Sequence, residues 1–299
     1  MKAKVTLGLC VKNAAKIVKI AFSSITTQDY PHELMKLVIV DNGSSDDTLS
    51  LAMKFAHEID IRTLVTSSKG KGLAATRQIV VDNAEGDYIV WVDDDLELPK
   101  DFVRKQVMFM EKNPQVGAAR GLNILVASKS KIMDIVEYVL LIPVGSIELK
   151  QIGTGASIFR LKALESVGGF DIQINGAGED VDVSLRIRES GWLLAANNSV
   201  GVVQKFTPKT PKGLWKKNSW YGYGNHFLFH KFRDRRFLIE YFPPFTLLIG
   251  LKSSCSIYRV TGMKKVFVFV ILHSFSMIAH NFGFIRAHLD GYGHRSEDV

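Results

Sequence analysis

The chain has 299 residues, 46% apolar and 23% charged, with a formal charge of +8 and two cysteines. That length and balance fit one large domain with an appendage, or two modest domains, and exclude general disorder. Two cysteines, Cys10 and Cys255, exclude a disulfide framework and a cysteine-rich zinc site and point to a reducing, cytosolic setting.

The N-terminus, MKAKVTLGLCVKN, holds only a short apolar run from Val5 to Val11 and reads as a first strand rather than a secretory leader. Through residue 120 the pattern alternates β-rich runs with helix-period segments, as in βα units around a mostly parallel sheet. Strands are expected at Lys4 to Val11, Leu37 to Val40, Ile61 to Thr66 and Tyr88 to Val92, and helices near Ala14 to Ile25, Asp46 to Glu58 and Leu73 to Ala84. Ser44 or Ser45 is the expected cap of the second helix, with Asp46 and Asp47 in its first turn.

Ligands of an open α/β sheet bind outside the carboxyl ends of its strands. All four strand exits are polar: Lys12-Asn13, Asp41-Asn42-Gly43, Ser67 through Gly72, and Asp93-Asp94-Asp95. Jointly they describe a cleft for a phosphorylated, hydrogen-bond-rich ligand beside a metal. The last exit is the most telling, because YIVWVDDDLELP drives a buried-looking strand into three aspartates. Strand alternation puts Asp93 and Asp95 on one side and Asp94 on the other. Two adjacent carboxylates repel unless a cation compensates them, and oxygen ligands select Mg²⁺ or Mn²⁺. A solvated acidic turn is the plainer alternative.

Absences narrow the ligand. GLCVKNAAK after the first strand is not a dinucleotide fingerprint, KGKGLAATR lacks the P-loop spacing, and the EF-hand glycine is replaced by Leu98. A phosphatase of the D-x-D-x-[TV] type wants Thr or Val where Glu97 stands.

CVKNAAKIVKIAFSSITTQDYPHELMKLVIVDNGSSDDT, GKGLAATRQ, GDYIVWVDDDLELP, GTGASIFR, VGGFD and GAGEDVDVSLRIRESGW, in this order over residues 4 to 203, resemble the family-2 glycosyltransferases of the GT-A fold. The resemblance implies an α/β fold with a mostly parallel sheet flanked by helices, and a nucleotide-sugar donor, a UDP- or GDP-sugar, across the strand ends. It implies that Asp41 holds the base, that Asn13 and Arg77 lie near base and diphosphate, and that Asp93, Asp94 and Asp95 form the acidic motif. Of these, Asp93 lies by the ribose and Asp95 reaches the divalent cation, Mn²⁺ or Mg²⁺, with Asp93 as its companion. Lys69 and Lys71 read as solvated loop charges, with contacts to the donor phosphates as the alternative.

Asp180, with Glu179 beside it, matches the family's catalytic acidic pair, so Asp180 is the expected base for an acceptor hydroxyl in an inverting transfer. A helix N-terminus that merely attracts acids is the alternative for Glu179, Asp180 and Asp182. A base favours a hydroxyl over an already anionic phosphate acceptor. Gly153, Thr154 and Gly155 would let backbone approach the sugar, and the segment with Trp220 would border the acceptor. VGVVQKF places Gln204 where relatives often carry histidine. That departure motivates a second reading, a catalytically silent nucleotide-sugar-binding or scaffold protein.

From Lys205 to Arg236, nine basic residues face Asp234 alone, which is the whole charge surplus. Trp215, Trp220, Tyr221 and Tyr223 interleave with them, and with the apolar chain that follows the block suits an anionic membrane surface. No motif supports nucleic acid. Val266 to Ile285 is long enough to span a bilayer, yet His273, Ser276 and His280 line one side, so the helix either crosses, lies in the interface or packs on a neighbour. Phe237 to Leu251 carries Glu240 and Pro243-Pro244, and a linker from Lys252 to Lys265 with four basic residues would violate the positive-inside tendency if both segments crossed. The expected organisation is a catalytic domain over 1–205, a basic and aromatic segment over 206–236, and a membrane-associating helical region over 237–299. It would work at the cytoplasmic face of the cell membrane, with at most one span, on a lipid-linked saccharide or growing glycan. The apolar stretch Ile132 to Ile147 reads as a core helix.

Overall fold

The computed structural model describes residues 3–124, 148–174, 176–204, 210–233, 243–262 and 264–292. Contacts divide these residues into two compact units.

The first unit is built on an eight-stranded sheet of order β3-β2-β1-β4-β7-β6-β8-β5. Its elements are β1 (Val5–Val11), α1 (Lys19–Thr26), β2 (Met35–Asp41), α2 (Thr48–Glu58), β3 (Arg62–Ser67), α3 (Leu73–Asp82), β4 (Tyr88–Val92), β5 (Leu96–Glu97), α4 (Phe102–Lys112), β6 (Val116–Ile124), β7 (Ser157–Arg160), α5 (Leu161–Glu165), α6 (Glu179–Glu189) and β8 (Leu193–Gln204). Strands β1, β2, β3 and β4 pair in parallel, as do β6 and β8, while β7 runs antiparallel to β4 and β6, and β5 to β8. Strands β1, β2 and β4 are buried along almost their whole length and read as largely apolar runs, while β3 at the sheet edge is only half-buried.

Side-chain alternation sends each of these strands into two separate cores. Leu37 and Ile39 of β2 join Phe22 and Ile25 of α1 and Phe102 and Met110 of α4. Val38 and Val40 join Trp91, Val80 of α3, and Val183 and Ile187 of α6 on the other face. Parallel neighbours need a helix between them, so the chain runs β1, β2, β3 outward and returns to β4 on the far side of β1. The reversal between β1 and β4 is the switch point at which such sheets open a crevice.

The first helix begins later than its periodicity predicts. Ala14 to Val18 form a turn with Ile17 and Val18 both donating to the Ala14 carbonyl, and α1 starts at Lys19. Neither Ser44 nor Ser45 caps α2. The helix starts at Thr48, so Asp46 and Asp47 precede it, and Asp46 accepts the Thr48 amide at 3.1 Å. Those serines instead join the β1 and β2 exits. The predicted helix over Ile132 to Ile147 lies outside the described residues.

The second unit contains α7 (Pro211–Phe232), α8 (Pro243–Thr261) and α9 (Val268–Leu289). Thr210 caps α7 by accepting the Gly213 amide, with Pro211 in the first turn where its missing donor costs nothing. The two prolines open α8 rather than break it, and the helix continues through most of the expected linker. Helices α7 and α9 run in the same direction, since Trp215 meets Phe275, Ser219 donates to the Ala279 carbonyl and Asn225 meets His280. Ser276 and His280 are buried, so the polar side of α9 packs on a neighbour, while Ile271, Ile278, Phe282, Ile285 and Leu289 stay exposed on the opposite side. Lys264–Leu289 contains an 18-residue window of mean hydropathy 1.6 and, among the described residues, is the one helical stretch long and apolar enough to cross a membrane.

Gly8 at the centre of β1 shows how tightly the switch point is packed. A Cβ there would lie 2.7 Å from Val80 of α3 and 3.0 Å from the Trp91 ring. Gly8→Ala is expected to lower stability by about 1–3 kcal/mol through overpacking, read from the urea midpoint at unchanged m-value.

Candidate active site

The carboxyl ends of β1, β2 and β4 open onto a cleft of about 290 Å³ lined by Cys10, Lys12, Asn42, Arg77 and the three aspartates. Each wall is fixed by a local device. Asp41 ends β2 buried at 3% exposure, and its carboxylate accepts the Gly43 and Ser44 amides and the Ser44 hydroxyl. Asn13, exposed after β1 with φ of 51°, donates its amide to Ser44 Oγ and accepts the Ser45 amide at 2.8 Å. The first two exits are thereby sewn together. The third docks on them, with Ser68 Oγ donating to Asn42 Oδ1 and the Ser68 amide to the Asp41 carbonyl. Lys69 and Lys71 are exposed on this loop.

Strand β4 ends at Val92, and the Leu96 amide turns back to the Asp93 carbonyl. The two-residue alternation stops there. Asp94 therefore does not point away from Asp93 and Asp95; all three line the cleft. Burial pushes the Asp93 carboxyl up to about 6, with Asp95 and Asp180 adding to the rise and Arg77 opposing it. Asp94 is pushed up to about 7 by burial and then by Asp95 and Asp93. Burial also raises the Cys10 thiol to about 12, which keeps it protonated and removes it as a nucleophile.

Arg77 is the cationic wall. It extends from α3 at 7% exposure, donates to Glu179, and stands 3.9 Å from Asp93. Glu179 is itself buried at 2%, so this carboxylate is a structural counter-charge to Arg77 within the acidic pair. Asp180, the next residue at the start of α6, is half-buried and accepts the Val181 amide at 2.8 Å. Asp182 is held by Arg186, whose guanidinium also donates to the Val167 and Gly169 carbonyls and so pins the VGGF turn.

The segment Gly153 to Gly155 joins the two acidic groups. A Cβ on Gly153 would come within 3.3 Å of Asp180 Oδ2, and one on Gly155 within 2.7 Å of Asp93 Oδ2. Thr154 between them is buried, and its carbonyl accepts the Ser157 hydroxyl at 2.6 Å. Trp220 belongs to the second unit, where it is 43% exposed on α7.

One residue beside the site, Arg120, escapes sequence pattern. Arg120 of β6 interacts with Asp180 and has its own pKa lowered by burial. The single charged residue of VGAARGLNI is the signal that marks it. Gln204 ends β8, and its backbone pairs with Leu96, next to Asp95, which brings this departure from the family pattern to the acidic turn.

Comparison with known proteins agrees with this geometry. The family described as Glycosyl transferase family 2 matches residues 6–148, and Glycosyl transferase family group 2 matches residues 88–285. The poly-beta-1,6-N-acetyl-D-glucosamine synthase of Staphylococcus epidermidis is 26% identical over 229 residues, which is 73% of this chain and 53% of the relative. The Staphylococcus aureus (strain COL) protein of that name is 25% identical over 74% of this chain and 54% of its own. The chain thus spans about half the length of the curated relatives it matches. Among solved structures, the mannosyltransferase PcManGT of Pyrobaculum calidifontis, in complex with GDP-Man and Mn²⁺, superposes with a TM-score of 0.72 at 18% identity, covering 97% of this chain and 88% of its own. S. aureus TarS 1-349 with UDP-GlcNAc gives 0.53 at 14% identity, covering 96% and 92%. These likenesses establish the mostly parallel GT-A sheet flanked by helices.

The raised carboxyls generate a pH prediction. A divalent cation entering the cleft must displace the protons that Asp94 and Asp93 take up as pH falls through 7 and 6. Affinity for Mn²⁺, measured by calorimetry, should fall about tenfold or more from about pH 8 to about pH 5.5. A constant affinity over that range would contradict the assignment.

Proposed function

Because the chain belongs to glycosyl transferase family group 2, we propose that it moves a sugar from a UDP- or GDP-sugar to a hydroxyl of a lipid-linked saccharide or growing glycan, inverting the anomeric configuration. One observation carries the reading. Asp93, just after β4, and Asp180 at the start of α6, 87 positions apart in the chain, are brought together by a glycine segment whose bare backbone lies against both carboxylates.

Asp41, Asn13 and the β3 exit form the base side of the donor pocket, and Arg77 faces the diphosphate. The residues fit a hard divalent cation: three carboxylates share the wall, burial and then mutual repulsion raise the pKa of Asp93 and Asp94, and the Arg77 guanidinium is already engaged by Glu179. Asp95 and Asp93 would hold Mn²⁺ or Mg²⁺, which when bound supplies charge neutralisation for the departing nucleoside diphosphate. Asp180 accepts the proton of the attacking hydroxyl, oriented by its bond to the Val181 amide and by the nearby Arg120. The bare Gly153 and Gly155 keep the donor sugar's place clear, and Glu179 positions Arg77.

The names of the relatives and the ligands in the solved neighbours support a nucleotide-sugar donor and a glycan product. The exposed apolar side of α9, together with exposed Phe245, Leu247, Leu248 and Leu251 on α8, supports attachment to a membrane. We assign it to the cytoplasmic face, where nucleotide sugars are available and where the basic run from Lys205 to Arg236 meets anionic lipid. Trp220, with its exposed ring, is proposed to border the acceptor.

Asp180→Asn is expected to lower the turnover number by roughly 10²–10⁴-fold while leaving nucleoside diphosphate affinity unchanged. Transfer at the wild-type rate by the folded variant would remove Asp180 as the base. Tight nucleotide binding by wild-type protein with no transfer to any glycan acceptor would favour the silent reading that Gln204 motivates.

A further inference from the structure

The second unit holds a group of side chains that sugar transfer does not use. His226 and His230 lie one helical turn apart near the end of α7, and His288 lies in the last turn of α9. One ring nitrogen of each lies within 4.8 Å of the other two. His226 Nε2 stands 3.3 Å from His288 Nδ1 and 3.3 Å from His230 Nε2.

We infer that these three histidines form a zinc site, distinct from the carboxylate cleft and going beyond the glycosyl-transfer reading. The geometry is the first reason. Two imidazole nitrogens at about 2.05 Å from a tetrahedral zinc are separated by about 3.3 Å, whereas a right-angled pair in a square-planar or octahedral site would be about 2.9 Å apart. The two separations from His226 match the tetrahedral value, and the third pair lies within 4.8 Å, close enough to draw in around an ion.

Protonation is the second reason. His226 Nδ1 is 2.5 Å from the Tyr292 carbonyl, which only accepts, so this nitrogen carries the proton and Nε2 presents a lone pair to its neighbours. A single lone pair cannot accept in line from two imidazoles at once, but it can bind a cation that all three share. The carbonyl that sets this tautomer is itself anchored, because the Tyr292 ring stacks on Tyr223 with centroids 4.7 Å apart. Orienting a ligand histidine through its second nitrogen is a standard feature of zinc sites.

The helices supply the third reason. Since α7 and α9 run in the same direction, their carboxyl ends come together here, and the partial negative charge of both dipoles favours a cation. His226 is buried, His230 half-buried and His288 exposed, so an ion can reach the site from solvent on the His288 side. The ion would fasten the end of α7 to the end of α9.

The test uses the full chain in detergent, stripped with a chelator and titrated with Zn²⁺ in saturating Mg²⁺, which fills the carboxylate cleft. One Zn²⁺ per chain is expected, and Co²⁺ in its place should show the intense visible bands of four-coordinate geometry. His230→Gln and His288→Gln should each weaken Zn²⁺ by more than about 100-fold, while Asp95→Asn leaves it unchanged. Absence of stoichiometric Zn²⁺ binding by wild-type protein would overturn the inference. So would full affinity in both histidine variants, or loss of the site in Asp95→Asn. None of these outcomes bears on sugar transfer, which is measured separately.

Discussion

Repulsion among carboxylates at the mouth of one crevice governs the first unit. Asp93 stands among Asp95 and Asp180, and Asp94 beside Asp93 and Asp95, and partial burial of Asp93 and Asp94 thins the water that would otherwise separate these charges. The nearest guanidinium, Arg77, is drawn off by Glu179 and stands at 3.9 Å from Asp93. A fold that accumulates this much like charge without matching it internally is organised for a cation and a polyanion to arrive together.

The sheet explains why the charges meet. The reversal of strand order at β1 parts the helices above β1 and β4, and the acidic turn follows β4 directly. Strand β7 runs back antiparallel to β4, so the glycines that precede it are delivered against the β4 exit. Gly155 can therefore press on Asp93 while Gly153 reaches Asp180. Glu179 and Asp182 of α6 serve different ends: one balances Arg77 and the other, through Arg186, fixes the turn before the helix. This leaves Asp180, between them, free of Arg77 and Arg186, with Arg120 of β6 as its nearby cation.

Much of this is legible in the sequence, for a physical reason. An apolar run entering three aspartates reports burial and charge in the same short window, and polar exits after each strand follow from the rule that parallel sheets bind at their carboxyl ends. What is illegible depends on contacts between distant segments. The orientation of Asp94 was predicted by extending the β4 alternation, but the strand stops at Val92 because the Leu96 amide folds back on Asp93. Ser44 and Ser45 have the right chemistry for a helix cap and spend it on Asp41 and Asn13 instead. Arg120 acquires its meaning only when β6 takes its place beside β7, and the histidine trio only when α9 packs on α7. The short antiparallel strands β5 and β7 carry too few residues for any period to declare itself.

The central claim is that the acidic turn and Arg77 form a cation-assisted site for a nucleoside diphosphate. Its most direct measurement is calorimetric binding of UDP and GDP to the purified chain, with and without Mn²⁺, in wild type and in Asp95→Asn. One of the two should bind, Mn²⁺ should tighten it by about tenfold or more, and Asp95→Asn should abolish the gain. Binding indifferent to both Mn²⁺ and Asp95, or no binding by well-folded protein, would contradict it and return the three aspartates to a charged turn.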